Sequence, residues 1–328
     1  MFRLPEGSVV ASEPSEVLGL IWIVVVSPGW SQTTTQLLIE GEDGIAPRTW
    51  DTVLPAAGPP PHGLVVSPSG RKLLGLVSAT GTDVERAGAV ERLVLVDIAT
   101  AQTIETGFEQ RRSAGRRLNY AVSADGQALA VGLSVYTPGG ADLTLTVLRG
   151  PDLRPIVQRT LPGCAMGVTV LDHLLQWSPD DRHLAVEMRE PGDIHDSVHV
   201  LDAQTLETVH TTYDSGLMGS QSWSPDGTKL AVLEYDKPRI LHLDDGRLEP
   251  VPWLRGERGD PPRQPQILGL LGNDHGLVLR QTRKRARLLI ADLTTGDGPT
   301  AATIPITDLD RPVRLTISRA WEHIADPG

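Results

Sequence analysis

With 328 residues, 33 Gly, 26 Pro and only two Phe against seven Trp, the chain describes many short elements broken by turns, which excludes a bundle of long helices. A formal charge of -11 excludes general affinity for phosphate backbones, since that attraction needs a surplus of Lys and Arg on one face. Nucleic acid is therefore not an expected partner.

In chain order, Met1 to Val17 holds one Arg, several acids and two prolines, unlike the basic start and apolar middle of a secretory signal. Leu18 to Val26 is apolar but stops at Ser27-Pro28-Gly29, too short for a membrane helix of about 20 residues and well suited to a buried strand. The expectation is a soluble cytoplasmic protein with no membrane partner; export stays open if the true start lies upstream. Gln36 to Ile39 supplies a second strand.

Beyond residue 60 one phrase recurs: Val-Ser-Pro-Ser-Gly ends at Gly70, Val-Ser-Ala-Asp-Gly at Gly126, Trp-Ser-Pro-Asp-Asp at Asp181 and Trp-Ser-Pro-Asp-Gly at Gly227. In such a turn Ser accepts from the backbone, Pro presets φ near −65°, Asp tolerates the bridge region and Gly supplies freedom at the end. A short strand precedes each turn and an apolar one follows, as in Ala128 to Val131, His183 to Glu187 and Lys229 to Leu233. A third strand ends in a polar turn at Asp97, Asp202, Asp244 and Asp292. The turn serines Ser67, Ser123, Ser178 and Ser224 are 56, 55 and 46 residues apart, and a worn copy at Gly272 to His275 follows. Units of this length stack around an axis, because one alone cannot bury its own apolar faces.

The expected fold is therefore an all-β propeller, one domain over 1–328, built of four-stranded antiparallel blades at about 17–55, 62–108, 118–161, 173–212, 220–252 and 266–305. Seven blades stay open if the first 60 residues hold a further unit. Pro312 to Ser318 offers a strand that returns to the first blade and closes the ring.

The phrase Trp-Ser-Pro-Asp-Gly followed by Leu-Ala-Val, carried mainly by Trp177 to Asp180 and Trp223 to Gly227, resembles the WD40-like PD40 repeat of the TolB family and of prolyl oligopeptidase-type propeller domains. The resemblance covers about 60–300 and implies the propeller fold; such repeats serve protein binding, control of substrate access and catalysis alike. Ala124 in place of Pro and Ser69 in place of Asp depart from the pattern. No α/β-hydrolase domain is expected after the propeller, so the peptidase half of the resemblance is not carried over.

Chemistry-bearing patterns are sparse. His195-Asp-Ser-Val-His199 approximates a helical zinc motif, but the second His opens a strand, where positions four apart lie roughly 13 Å from each other. Exposed strand and loop histidines are the better reading, and no metal or cofactor is expected. Gly-x-Ser-x-Gly, the P-loop and Gly-x-Gly-x-x-Gly are absent from the sequence. A propeller site instead draws one or two residues from each blade, and the segments entering the innermost strands are polar. They offer His62, Arg117, Asn119, Tyr120, His173, Gln176, Gln221 and Gln266 as channel and rim candidates for a ligand, with ordered water as the plain alternative. Loops with Asp83 and Glu85, and with Glu190, Asp193 and Asp196, are acidic; Arg280, Arg283, Lys284 and Arg285 form a basic hairpin able to dock an acidic partner or simply to face water. The loop Ser78 to Glu91 exceeds what strand connection requires. Trp177 and Trp223 are expected to fill wedges between blades, and the lone Cys164 to be a small buried hydrophobe.

These readings favour a monomeric, non-catalytic binding module for a protein, peptide or small polar ligand. The alternative is an enzyme with an axial site, a hydrolase, lyase or cyclase using channel acids, His62 or His173, with metal assistance open. A structural or assembly role ranks third.

Overall fold

The computed structural model describes residues 116–166, 174–218 and 222–251, apart from 139, 194 and 236, together with the further strands named below, residue 274 and residues 293–296. Every regular element among them is a β-strand. Two short strands, β1 (Phe2–Arg3) and β2 (Val9–Ser12), come first, and β3 (Leu20–Val26) and β4 (Thr35–Ile39) begin a first sheet. The second sheet holds β5 (His62–Val66), β6 (Lys72–Ser78), β7 (Val90–Asp97) and β8 (Thr103–Arg111) in sequence order. The third holds β9 (Arg116–Val122), β10 (Ala128–Thr137), β11 (Gly140–Arg149) and β12 (Arg154–Pro162).

In the fourth, β13 (Ala165–Met166) and β14 (Leu175–Trp177) both pair with β15 (His183–Arg189), followed by β16 (Ser197–Asp202) and β17 (Thr208–Thr212). The fifth runs β18 (Ser215–Leu217), β19 (Lys229–Glu234), β20 (Lys237–His242) and β21 (Leu248–Pro250), with Trp223 bridging to Leu230 on β19. The last has β22 (Gln266–Leu270), β23 (His275–Gln281), β24 (Arg285–Asp292) and β25 (Thr300–Pro305). Its outer side is extended by β2 and β1, while β26 (Arg314–Ala320) pairs with β3 in the first sheet.

The sheets form a ring through their inner strands. β5 lies beside β9, β9 beside β14, β15 beside β18, β19 beside β22, β22 beside β26 and β26 beside β5. This radial arrangement is a β-propeller, and the described strands of each sheet pair antiparallel.

The core lies in the seams. Strand side chains alternate between faces, and here both faces are buried, each against a different neighbour. Leu129 and Val131 of β10 pack toward the second sheet, whereas Ala130 packs toward the fourth. Leu184 and Val186 of β15 pack back on the third sheet, and Ala185 forward on the fifth. Leu230 and Val232 of β19 face the fourth sheet, and Ala231 the sixth. The recurring Leu-Ala-Val thus carries a packing rule: branched residues face the preceding sheet, and the small residue leaves room for the next. Trp177 enters the seam lined by Ala130, and Trp223 the seam lined by Ala185. Each fully buried Leu or Val is worth about 1.5–3 kcal/mol of transfer free energy, so the seams dominate stability.

The repeated turn is closed by the same bonds three times. Ser178 Oγ donates to Asp180 Oδ1 at 2.5 Å and accepts from His183 N at 2.9 Å, while Ser178 N donates to His183 O at 2.9 Å. Ser123 with Asp125, and Ser224 with Asp226, repeat this arrangement. The Asp does more than tolerate the turn conformation. Its carboxylate also accepts from the backbone N–H two residues on, as Gln127 N to Asp125 Oδ1 at 2.8 Å shows. The final turn position is left-handed in each copy, with φ of 69° at Gly126, 59° at Asp181 and 72° at Gly227.

Ala124, in place of Pro at the third sheet, and Asp181, in place of Gly at the fourth, fit each other. Ala124, standing where Pro would have no N–H, donates to Asp181 Oδ1 at 2.6 Å, and Asp125 N reaches Asp181 Oδ2 at 3.2 Å. Asp181 therefore takes a strained conformation that Gly adopts freely and uses its side chain to tie consecutive turns. Burial raises its pKa, against the lowering effect of those two N–H groups.

Candidate functional site

The repeated turns occupy one face of the ring. Antiparallel order then places the loops joining second to third strands, and the segments entering the innermost strands, on the opposite face. The sequence candidates were expected on that rim and along the axis. Arg117 is exposed on β9, Asn119 is half-buried, and Tyr120 is buried among Leu74, Leu93 and Leu129 of the seam behind it. Gln176 on β14 is buried with its amide spanning the next seam: Oε1 accepts from Ser222 N at 2.8 Å and Nε2 lies 3.3 Å from Ser222 Oγ. Its position makes it a tie between neighbouring inner strands. His62 and Gln266 open β5 and β22, where only the backbone is described. His173 and Gln221 lie outside the described residues, as do Asp83, Glu85, Arg283 and Lys284.

The two histidines of the zinc-like spacing part company. His195 is exposed in the loop before β16, but His199 is 5% exposed, which corrects the expectation that both face water. Its Nδ1 lies 3.2 Å from Thr211 Oγ1; its Nε2 lies 3.3 Å from Glu190 Oε1 without hydrogen-bond geometry. Burial holds the imidazole pKa below its ordinary value despite Glu190, so the ring is neutral near pH 7. Among the described residues no three His, Cys, Asp or Glu side chains come together as metal ligands. Cys164 packs with Met166 and Leu175 as a buried hydrophobe, and burial, with Glu190 adding to it, pushes its thiol pKa up.

A buried acid was not singled out by its place in the sequence. Glu187, wholly buried on β15, accepts from Leu217 N at 2.7 Å, and Gly216 permits the approach, since a Cβ there would sit 2.9 Å from Glu187 Oε2.

The most exposed aromatic groups among the described residues of the rim also escaped sequence reasoning. Tyr213 and Tyr235 are 61% and 65% exposed at the tips of the β17–β18 and β19–β20 connections. Tyr235 N donates to Asp214 O at 3.0 Å and its hydroxyl to Asp214 Oδ2 at 2.6 Å. Ser215 N donates to Asp196 O at 2.8 Å, so three loops from two sheets form one continuous ledge. Its acidic loop, Glu190 to Asp196, is braced by Arg189 Nε on Asp196 Oδ1 at 3.0 Å. The available signal was an aromatic residue beside Asp at two turn tips, in Thr-Thr-Tyr-Asp and Glu-Tyr-Asp-Lys.

No protein-family model matches the chain, and no curated protein does. Solved structures of low identity share its fold. A prolyl endopeptidase is 16% identical with a TM-score of 0.53, over 92% of this chain and 47% of that one. The acylaminoacyl peptidase of Pyrococcus horikoshii is 12% identical with a TM-score of 0.51, over 96% of this chain and 52% of that one. A TolB-type protein from Agrobacterium tumefaciens is 14% identical with a TM-score of 0.44, over 92% and 99%. The chain spans about half the length of the two peptidases. The likeness to the two peptidases is one of fold, the β-propeller described above.

Proposed function

We propose that this propeller is a binding module that recognises a protein, peptide or small polar ligand across the rim bearing Tyr213 and Tyr235. The observation that carries the reading is the exposure of those two rings at hydrogen-bonded turn tips, 61% and 65%. Tyr235 also holds a φ of 45°, where a bulky residue is strained and Gly or Asn would sit more easily. Exposed aromatic groups on braced turns offer large contact area at little ordering cost, the property that enriches Tyr at recognition surfaces. Two of the polar side chains described on the innermost strands, Gln176 and Tyr120, are engaged in the seams, which favours the rim over the channel.

The test is selection of a displayed random-peptide library against the full chain, with the footprint mapped by hydrogen exchange. Expected is protection over 190–196, 213–215 and 235–237. Turnover of lactone, glycosidic or peptide substrates by the purified protein, blocked by substitution of an axial acid or histidine, would replace this reading with that of an axial hydrolase, lyase or cyclase.

A further inference from the structure

The ledge carries charge as well as rings, and its cations are largely engaged. Arg189 pairs with Asp196 at 3.0 Å and Arg239 Nε with Glu234 Oε2 at 3.0 Å. That sets Lys237 alone against Glu190, Asp193 and Asp214 among the described residues of these loops. Glu190 gains no charge from its nearest partner. The His199 side chain is 7% exposed, and its Nε2 makes no hydrogen bond although it lies 3.3 Å from Glu190 Oε1. A buried polar nitrogen and an under-neutralised carboxylate therefore face the same loop. Beside them, Asp214 fixes the Tyr235 hydroxyl at 2.6 Å, and this bond raises the phenol pKa and keeps it protonated, with an electron-rich ring face in solvent.

We infer that the ledge of Glu190, Asp193, Tyr213, Asp214 and Tyr235 binds an extended basic peptide segment, its Arg or Lys side chains lying over the phenol rings with their charged ends on the carboxylates. This deepens the rim-binding reading and rests on it. A peptide suits the ledge better than a single small cation because the loops belong to two successive sheets and are joined edge to edge by Ser215 N–Asp196 O and Tyr235 N–Asp214 O. The chain's charge of -11 favours encounter with the same class of partner.

The experiment is fluorescence anisotropy on the full chain with a labelled Gly-Ser peptide carrying four Arg, its counterpart carrying four Glu, and tetramethylammonium as competitor. Expected is saturable binding of the Arg peptide alone, weakened about tenfold between 50 and 300 mM salt. The double variant Tyr213→Ser/Tyr235→Asn should lose about fivefold or more, and Asp193→Asn/Asp214→Asn should lose a similar factor. Asn at 235 keeps the left-handed turn accessible, and an unchanged melting temperature checks that both variants fold. Equal binding of the Glu peptide, Arg-peptide binding that ignores both double variants, or full displacement by tetramethylammonium would overturn the inference. A neutral or acidic peptide protecting the same loops sinks the charge assignment and leaves the rim reading standing; protection elsewhere sinks both.

Discussion

The seam between the third and fourth sheets and the seam between the fourth and fifth are built from the same phrase, yet their tryptophans end differently. Trp177 Nε1 donates to Ala121 O on the preceding inner strand at 3.1 Å. Trp223, equally buried, leaves Nε1 without a hydrogen-bond partner and stacks on His183, with ring centroids 6.3 Å apart and planes at 23°. The residue five beyond the turn serine decides the matter: Ala128 beside Trp177, His183 beside Trp223. A small side chain lets the indole settle against the backbone, whereas an imidazole occupies that space and strands a second atom, its own Nδ1. The repeat fixes where a ring goes; its neighbour fixes what the ring can bond to. The outer ends of the two seams, by contrast, are tied alike: Arg159 Nη1 donates to Leu206 O at 2.6 Å and His210 Nε2 to Leu243 O at 2.7 Å.

The strongest way to break this comparison is truncation. Trp177→Ala and Trp223→Ala should each cost about 3–5 kcal/mol in urea unfolding, with Trp177→Ala the costlier because it also loses the bond to Ala121 O. Equal losses would mean that the Ala121 bond contributes nothing. Next, Ala128→His should import the second seam's crowding into the first, destabilising by about 1–3 kcal/mol and shifting Trp177 fluorescence as its N–H leaves the carbonyl.

A third measurement concerns the tie between Ala124 and Asp181. Ala124→Pro and Asp181→Gly should each cost about 1 kcal/mol, yet the double variant, which restores the common phrase at both turns, should cost little more than either alone. Strict additivity would show that the two departures do not act together. The smallest effect is electrostatic. With the native pKa of Asp181 raised, the native state holds more proton than the unfolded state between the ordinary carboxylate value and the higher native one, so stability declines as pH rises through that interval. Asp181→Asn should flatten this decline; an identical pH profile would place the acid slope elsewhere.

What sequence reading reached, and what it did not, divides by distance along the chain. The Ser-x-Asp turns, the strands on either side and the wedge role of Trp177 and Trp223 are local or periodic, and they were legible because each lies within a few residues of its cause. The exposed ledge was missed because Asp214 meets Tyr235, 21 positions on, only when β18 pairs with β19. Gln176 looked like channel lining because its partner, Ser222, lies 46 positions on. Ala124 looked like a mere departure from the phrase for the same reason: the group that makes use of its N–H is 57 positions away. His199 carries no pattern that separates a buried imidazole from an exposed one, because its burial is set by the strand it pairs with and by Glu190 across the loop.

The pairings of β2 with β25 and of β3 with β26 set an order of assembly. As the polypeptide leaves the ribosome, Ala11 must wait for Thr303 and Trp22 for Ser318, so these strands emerge well before their partners do. Until then the nascent chain presents open sheet edges at both ends of an unfinished arc, and such edges are templates for wrong association. Slow release or early truncation should therefore send this protein to chaperones or aggregates rather than to a smaller stable fold.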